Sequence, residues 1–241
     1  MNKTLLALAI GLLVAAGPAS AISKKQVVAS QDRYDKSNWM VAIQGGMGTN
    51  LSSNPKSGSP AIWGLSVWNR KWEKSGLGID LVEMSAGYKA SGYSYQGYLF
   101  TYFHLIPSVL KIGQMGWAAY GGLATSDYTT SVNGIANTTL ASGWGGTTGA
   151  MLFFSFPTTR LLGAEPETFW SKLLDVDLFF RLGCRLAYIP LKTKKTTDLD
   201  GDGVNEYVRG RGFTDPAGIN RRARDFFFTG GSISVGLSWF F

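Results

Sequence analysis

The sequence predicts an all-β protein, an eight-stranded antiparallel up-and-down transmembrane β-barrel. Three observations point there. First, 31 of 241 residues are Gly, 13% are aromatic and only 16% are charged, while hydrophobic content is an ordinary 45%; an average chain carries about 7% Gly and about 25% charge. Second, apolar residues alternate with small or polar ones in eight separate segments, the period of a strand with two unlike faces. Third, beyond the N-terminus no apolar run approaches the ~18 residues that a spanning helix needs. The same composition excludes a disordered chain, which would be rich in charge and poor in aromatics. A single Cys excludes an internal disulfide framework.

Met1–Ala21 reads as a secretory signal peptide. Lys3 supplies the positive start, Leu5–Ala16 the apolar centre, and Ala19-Ser20-Ala21 the small residues before cleavage. Gly17-Pro18 ends the apolar run, which is too short for a membrane anchor. No Cys stands just after the cleavage point, so a lipid-anchored form is not expected. Residues 22–37 read as a periplasmic N-terminal segment and 38–241 as the barrel.

Strands are expected at 38–49, 60–69, 76–89, 94–111, 115–126, 143–156, 175–189 and 229–241. In the first, Trp39, Val41, Ile43 and Met47 alternate with Ala42, Gln44, Gly46 and Gly48. In the sixth, Trp144, Ala150, Leu152, Phe154 and Phe156 alternate with Gly145, Thr147, Gly149 and Ser155. In the seventh, Leu178, Phe180, Leu182, Cys184, Leu186 and Tyr188 alternate with Asp177, Phe179, Arg181, Gly183 and Arg185. An apolar outside with a small or polar inside is the transmembrane-barrel pattern. Loop-like stretches at 22–37, 127–142 and 190–228 leave about 150 residues, too few for sixteen strands of ~10 residues but ample for eight. An even count returns both ends to the periplasm. Short connections at 70–75 and 112–114 fit periplasmic turns, and 50–59, 127–142 and 190–228 fit external loops. Residues 157–174 are long for a turn. Pro166-Glu167 with Phe169, Trp170, Leu173 and Leu174 reads either as a short interfacial amphipathic helix or as an irregular turn anchored by Trp170.

The last strand places Ile233, Val235, Leu237, Trp239 and Phe241 on one face. Ser234, Gly236, Trp239 and Phe241 resemble, position by position, the C-terminal signal of bacterial outer-membrane barrels, which ends in an aromatic residue. The segment Tyr102–Lys111, a short turn, and Trp117–Leu123 resemble a hairpin of small eight-stranded barrels: an apolar-Pro-apolar-Lys strand, then a strand rich in aromatics and Gly. From Trp39 to Phe241 the chain is similar to the OmpA/OmpX/OmpW-like class. The resemblance implies a bacterial outer-membrane location, contact with outer-membrane lipid and lipopolysaccharide, and recognition of the C-terminal strand by the barrel-assembly machinery. It carries fold and location better than function. A monomer is expected, and nucleic acid is not expected as a partner.

Side chains fill the bore of an eight-stranded barrel. Asp177, Arg181 and Arg185 share the inward face of the seventh strand, and Asp80 is inward in the third because Leu77, Ile79 and Leu81 are outward. Unpaired charge is costly in such a setting, so these four are expected to form one lumenal network that plugs the bore. Trp39, Trp239 and Phe241 are expected at the periplasmic interface and Tyr188 at the outer one. Cys184 reads as a small apolar residue facing lipid.

The most specific local motif is Asp198-Leu-Asp200-Gly-Asp202-Gly-Val-Asn-Glu206. Carboxylates at spacing two followed by Gly are how a loop wraps Ca²⁺ in oxygen ligands, with Asp198, Asp200, Asp202 and Glu206 as candidate ligands. Arg209 stands at the twelfth position, where an EF-hand needs a bidentate Glu, and a polar turn is the alternative. The loop is also basic, with Lys192, Lys194, Lys195, Arg209, Arg211, Arg221, Arg222 and Arg224. It suits lipopolysaccharide phosphates or simply a solvated mixed-charge loop. For acyl chemistry the only His is His104, with Ser108 more than ~13 Å along the same strand face, so an enzyme is not expected and no catalytic residue is assigned. The expected role is structural or surface interaction through the external loops. Alternatives are binding or passage of a small hydrophobic molecule, or a lipid A-modifying enzyme.

Overall fold

The computed structural model describes residues 34–49, 51, 59–88, 91–106, 113–132, 135–158, 175–193 and 226–241, with short paired pieces at 196–197, 206–207, 212–214 and 220–222. Eight long strands follow one another: β1 (Trp39–Gly48), β2 (Ala61–Arg70), β3 (Ser75–Tyr88), β4 (Ser91–Ile106), β5 (Gln114–Val132), β6 (Ile135–Phe156), β7 (Asp177–Ile189) and β8 (Phe226–Phe240). Each pairs antiparallel with its sequence neighbours, and β1 pairs with β8 from Met40↔Phe240 to Gly48↔Ser232, so the sheet closes on itself. The chain is a closed eight-stranded antiparallel barrel, the architecture of small outer-membrane barrels. In the barrel wall, closure pairs every strand on both sides, which a sheet surrounded by lipid requires.

The alternation sorts side chains as the sequence predicts. Outward residues such as Ile43, Trp63, Ile79, Phe100, Leu123, Leu152, Leu182 and Ile233 are exposed, while inward residues such as Ala42, Ser66, Asp80, Leu99, Phe153 and Phe179 are buried. A soluble protein would not display so continuous an apolar surface. On β7 the outward set runs from Leu178 to Tyr188. That is about 33 Å along a strand, or about 25 Å along the axis at a 40° tilt, the height of an outer-membrane apolar band. The band ends on β3 and β4 at Glu83 and Gln96, which hydrogen-bond each other (2.7 Å) on the outer face. Trp39 and Phe241 lie exposed at the end where β1 starts and β8 finishes, and Tyr188 lies exposed at the other.

Two stretches depart from the loop reading. Residues 127–142 are mostly strand: β5 runs on to Val132 and β6 starts at Ile135, with register shifts near Tyr128 and Thr130. These residues are rich in Thr and Ser, and they lack the apolar alternation only because they stand beyond the lipid; β-branched residues still favour paired backbone. Within 190–228, Lys192–Thr193 add to β6, Thr196–Thr197 pair with Glu206–Tyr207, Gly212–Thr214 pair with Asn220–Arg222, and β8 begins at Phe226. The signal-peptide stretch and the amphipathic turn at 166–174 lie outside the described residues.

At the terminal end the β4–β5 turn closes on Gly113. Its φ of +79° is a left-handed value, and a Cβ there would meet the Ser155 carbonyl oxygen, so only Gly fits.

Candidate functional site: the barrel lumen

The seam where the barrel closes sets Ser234, Gly236, Trp239 and Phe241 against β1. Gly236 faces inward opposite Gln44. A side chain there would strike the Ile43 carbonyl oxygen and come within 2.6 Å of the Gln44 Cα, so the first and last strands could not approach. Ser234 donates from Oγ to Gln44 Oε1 at 3.0 Å. Trp239 pairs across from Val41. The Phe241 backbone N–H donates to the Trp39 carbonyl (2.9 Å), and its own carbonyl accepts from Asn38 (2.9 Å) and Trp39 (3.0 Å).

Above the terminal end, the bore is filled in layers. The lowest holds Tyr34, which lies in the segment read as a periplasmic tail. Tyr34 is nearly fully buried. Its ring meets Phe240 edge-on at 4.9 Å and its hydroxyl donates to Asp177 Oδ2. Asp177 also accepts from Ser155 Oγ (3.0 Å), which shares a hydrogen bond with Ser238 Oγ (3.0 Å).

Next comes an aromatic floor of Trp68, Phe103, Phe153 and Phe179, one ring each from β2, β4, β6 and β7. Trp68 stacks on Phe103 at 5.1 Å and meets Phe153 edge-on at 4.9 Å. Arrangements of this kind add stability beyond area burial alone.

On that floor lies the ion pair. Arg181 Nη1 donates to Asp80 Oδ1 at 3.0 Å, and Nη2 to Ser66 Oγ at 2.7 Å. Asp80 accepts further bonds from Ser66, from Trp68 Nε1 (3.1 Å) and from Thr101. The Arg181 guanidinium carbon sits 4.8 Å from the Trp68 ring and 4.9 Å from Phe179, within cation–π range. These bonds satisfy Asp80 and both terminal nitrogens of Arg181, which a buried pair needs to offset its desolvation.

Four residues farther along β7, Arg185 donates from Nε to Tyr120 Oη at 3.2 Å and lies 5.4 Å from both the Tyr95 and Tyr120 rings. Beyond it Tyr95 stacks on Phe226 (5.8 Å), which stacks on Phe228 (6.4 Å), and Tyr93 packs on Tyr128 (4.9 Å). The four charges read from the sequence as one network are therefore divided. Asp80 and Arg181 meet. Asp177 belongs to the Tyr34 layer, four residues and about 13 Å of strand below Arg181. Arg185 contacts Tyr rings and has no carboxylate partner among the described residues. Sequence reasoning missed Tyr34, which sits outside any alternating segment, and Tyr95 and Tyr120, whose inward position was legible only once their strands were in register.

The other candidates fall elsewhere. His104 is on the outward face, 5.9 Å from the Trp117 ring and opposite Ser75 on β3, with no hydrogen bond between His104 and Ser75. Ser108 lies outside the described residues, as do Asp198, Asp200 and Asp202; of Glu206 only the backbone is described, paired with Thr197. Cys184 is exposed on the outer face of β7. Among the described residues pairing runs unbroken around the barrel, without the gap that sideways passage of a ligand would need.

No protein-family model matches the chain, and no curated protein sequence matches it. Among solved structures, Neisserial surface protein A (NspA) is 12% identical over 84% of this chain and 96% of its own, with a TM-score of 0.45. The outer membrane protein OprG from Pseudomonas aeruginosa is 8% identical over 85% of this chain and 96% of its own, with a TM-score of 0.43. The translocator domain of the autotransporter NalP from Neisseria meningitidis is 10% identical over 99% of each chain, with a TM-score of 0.33. At this level of similarity none of the three bears on what the barrel does.

Proposed function

We propose that the chain is a non-conducting outer-membrane barrel, a rigid membrane-embedded base for a structural or surface-interaction role exercised on its external side. The observation that carries the reading is the layered filling of the bore. An aromatic floor, the Asp80–Arg181 pair and an aromatic roof of Tyr95, Phe226 and Phe228 are stacked along one axis, each made of buried side chains from several strands. The spaces near Trp68 and near Arg181 are small, about 20 Å³ and about 30 Å³, room for a water or two and not for a hydrated path. The continuation of β5 and β6 past the apolar band supports the surface role, since paired strands in water present a firm edge to a partner. Outer-membrane lipid, lipopolysaccharide and the barrel-assembly machinery are the partners this location implies, with the barrel acting as a monomer. A weak Ca²⁺ site at Asp198, Asp200, Asp202 and Glu206 is part of the same proposal and rests on residue spacing alone.

Planar-bilayer recordings of the refolded protein test the closed bore. Silent membranes are expected for wild type. Regular ohmic steps in wild type would overturn the proposal.

A further inference from the structure

The geometry points to a binding site for one small inorganic anion, of the halide class, inside the lumen between Arg181 and Arg185. This goes beyond the closed-bore reading, which says nothing about what the remaining interior space holds.

Three observations converge. The first is charge. The cavity of about 30 Å³ is lined by Arg181, Arg185 and Asp80 together with Gln44, Tyr120 and Ser234, among others. Two guanidiniums face one carboxylate, and Asp80 is committed to Arg181. Asp177 does not redress the balance, because it sits eight residues from Arg185, about 26 Å along β7. Among the described residues the site holds one more positive than negative charge, with Arg181 buried and Arg185 part-buried, and such an excess is costly.

The second is unmet hydrogen bonding. Arg181 Nε and Arg185 Nη1 are both buried with no acceptor among the described residues, and the Tyr95 hydroxyl beside Arg185 is likewise without a partner there. Arg181 is itself more than nine-tenths buried and lines the cavity. Buried donors of charged groups normally find an acceptor. Beyond Asp80 and Ser66 for Arg181 and Tyr120 Oη for Arg185, the described residues offer the two guanidiniums ring faces, at 4.8 and 4.9 Å for Arg181 and 5.4 Å for Arg185. A ring face attracts the cation but accepts no in-plane N–H bond.

The third is size. The space admits a couple of water-sized particles. It is far below the roughly 300 Å³ at which organic ligand pockets begin. A monovalent anion matches both the volume and the single excess charge. Gln44 and Ser234 hydrogen-bond each other at 3.0 Å and close one wall with polar groups.

Crystals of the refolded full chain, soaked in sodium bromide and measured at the bromine absorption edge, test the assignment. One lumenal anomalous peak is expected, within hydrogen-bonding distance of both arginines. It should disappear in Arg185→Gln and persist in Arg185→Lys, which keeps the charge. Ordered water in place of bromide in the wild-type lumen would overturn the proposal, whether or not the variants refold. A peak that survives unchanged in Arg185→Gln would mark an adventitious ion only and would also overturn it.

Discussion

Replacing Asp80 with Asn keeps the side-chain volume and removes the charge that holds Arg181. Asp80 accepts from four donors, two of them Trp68 Nε1 at 3.1 Å and Arg181 Nη1 at 3.0 Å. An amide can accept through only one atom and turns a donor toward the other donors, so at least one close N–H or O–H is left facing N–H. Arg181 remains, 6% exposed, without its counter-charge. Breaking a buried pair from one side costs about 3–5 kcal/mol. The small cavity beside Arg181 can admit water, which places the expectation near the lower end, about 3 kcal/mol. That is more than a hundredfold in the folding constant, at about 1.4 kcal/mol per decade. The assay is urea unfolding of the barrel refolded in lipid vesicles, followed by tryptophan fluorescence. Trp68 is a built-in reporter because its indole N–H donates to Asp80 and its ring carries the guanidinium. The double variant Asp80→Leu plus Arg181→Leu leaves no buried charge and should lose less than Asp80→Asn alone. Stability of Asp80→Asn within about 0.5 kcal/mol of wild type, or a double variant whose loss equals the sum of the two single changes, would refute the coupling.

Two further outcomes follow from the same structure. Tyr34→Phe keeps the ring against Phe240 but removes the hydroxyl that donates to Asp177; a loss of about 1.5 kcal/mol is expected in the same unfolding assay, the low end for a hydrogen bond to a charged group, and an unchanged midpoint would show that Tyr34 is not seated in the bore. Cys184 is exposed midway along the apolar face of β7. A fluorophore attached there before refolding should be quenched by lipids brominated along their chains and not by aqueous iodide; the reverse pattern would move the lipid band off this part of the barrel.

Much of this architecture was legible in the residues. Alternation along Trp39–Gly48 and Asp177–Ile189 names both the strand and its faces, because a period of two has one physical outcome when one side meets lipid. The inward placement of Asp80 followed from Leu77, Ile79 and Leu81 alone. Gly236 was legible as part of a terminal signal, and its reason is visible in the seam, where the approach of β1 leaves no space for a Cβ. The stretch 127–142 was misjudged because alternation reports lipid on one face, and strands that rise into water need only backbone pairing.

The sequence by itself determined the class of fold, the strand count and, where alternation is clear, the side a residue faces. These depend on local periodicity and on the length of chain available. The tertiary structure decided which inward groups meet. Asp80 on β3 and Arg181 on β7 are not on neighbouring strands; they touch across the bore, and their relative height depends on the stagger accumulated over every strand between them. That stagger is a property of barrel closure and has no signature in any single strand. It brings Asp80 to Arg181, gives Asp177 to Tyr34, and leaves Arg185 among aromatic rings, where a network drawn from inward charges alone would have joined all four.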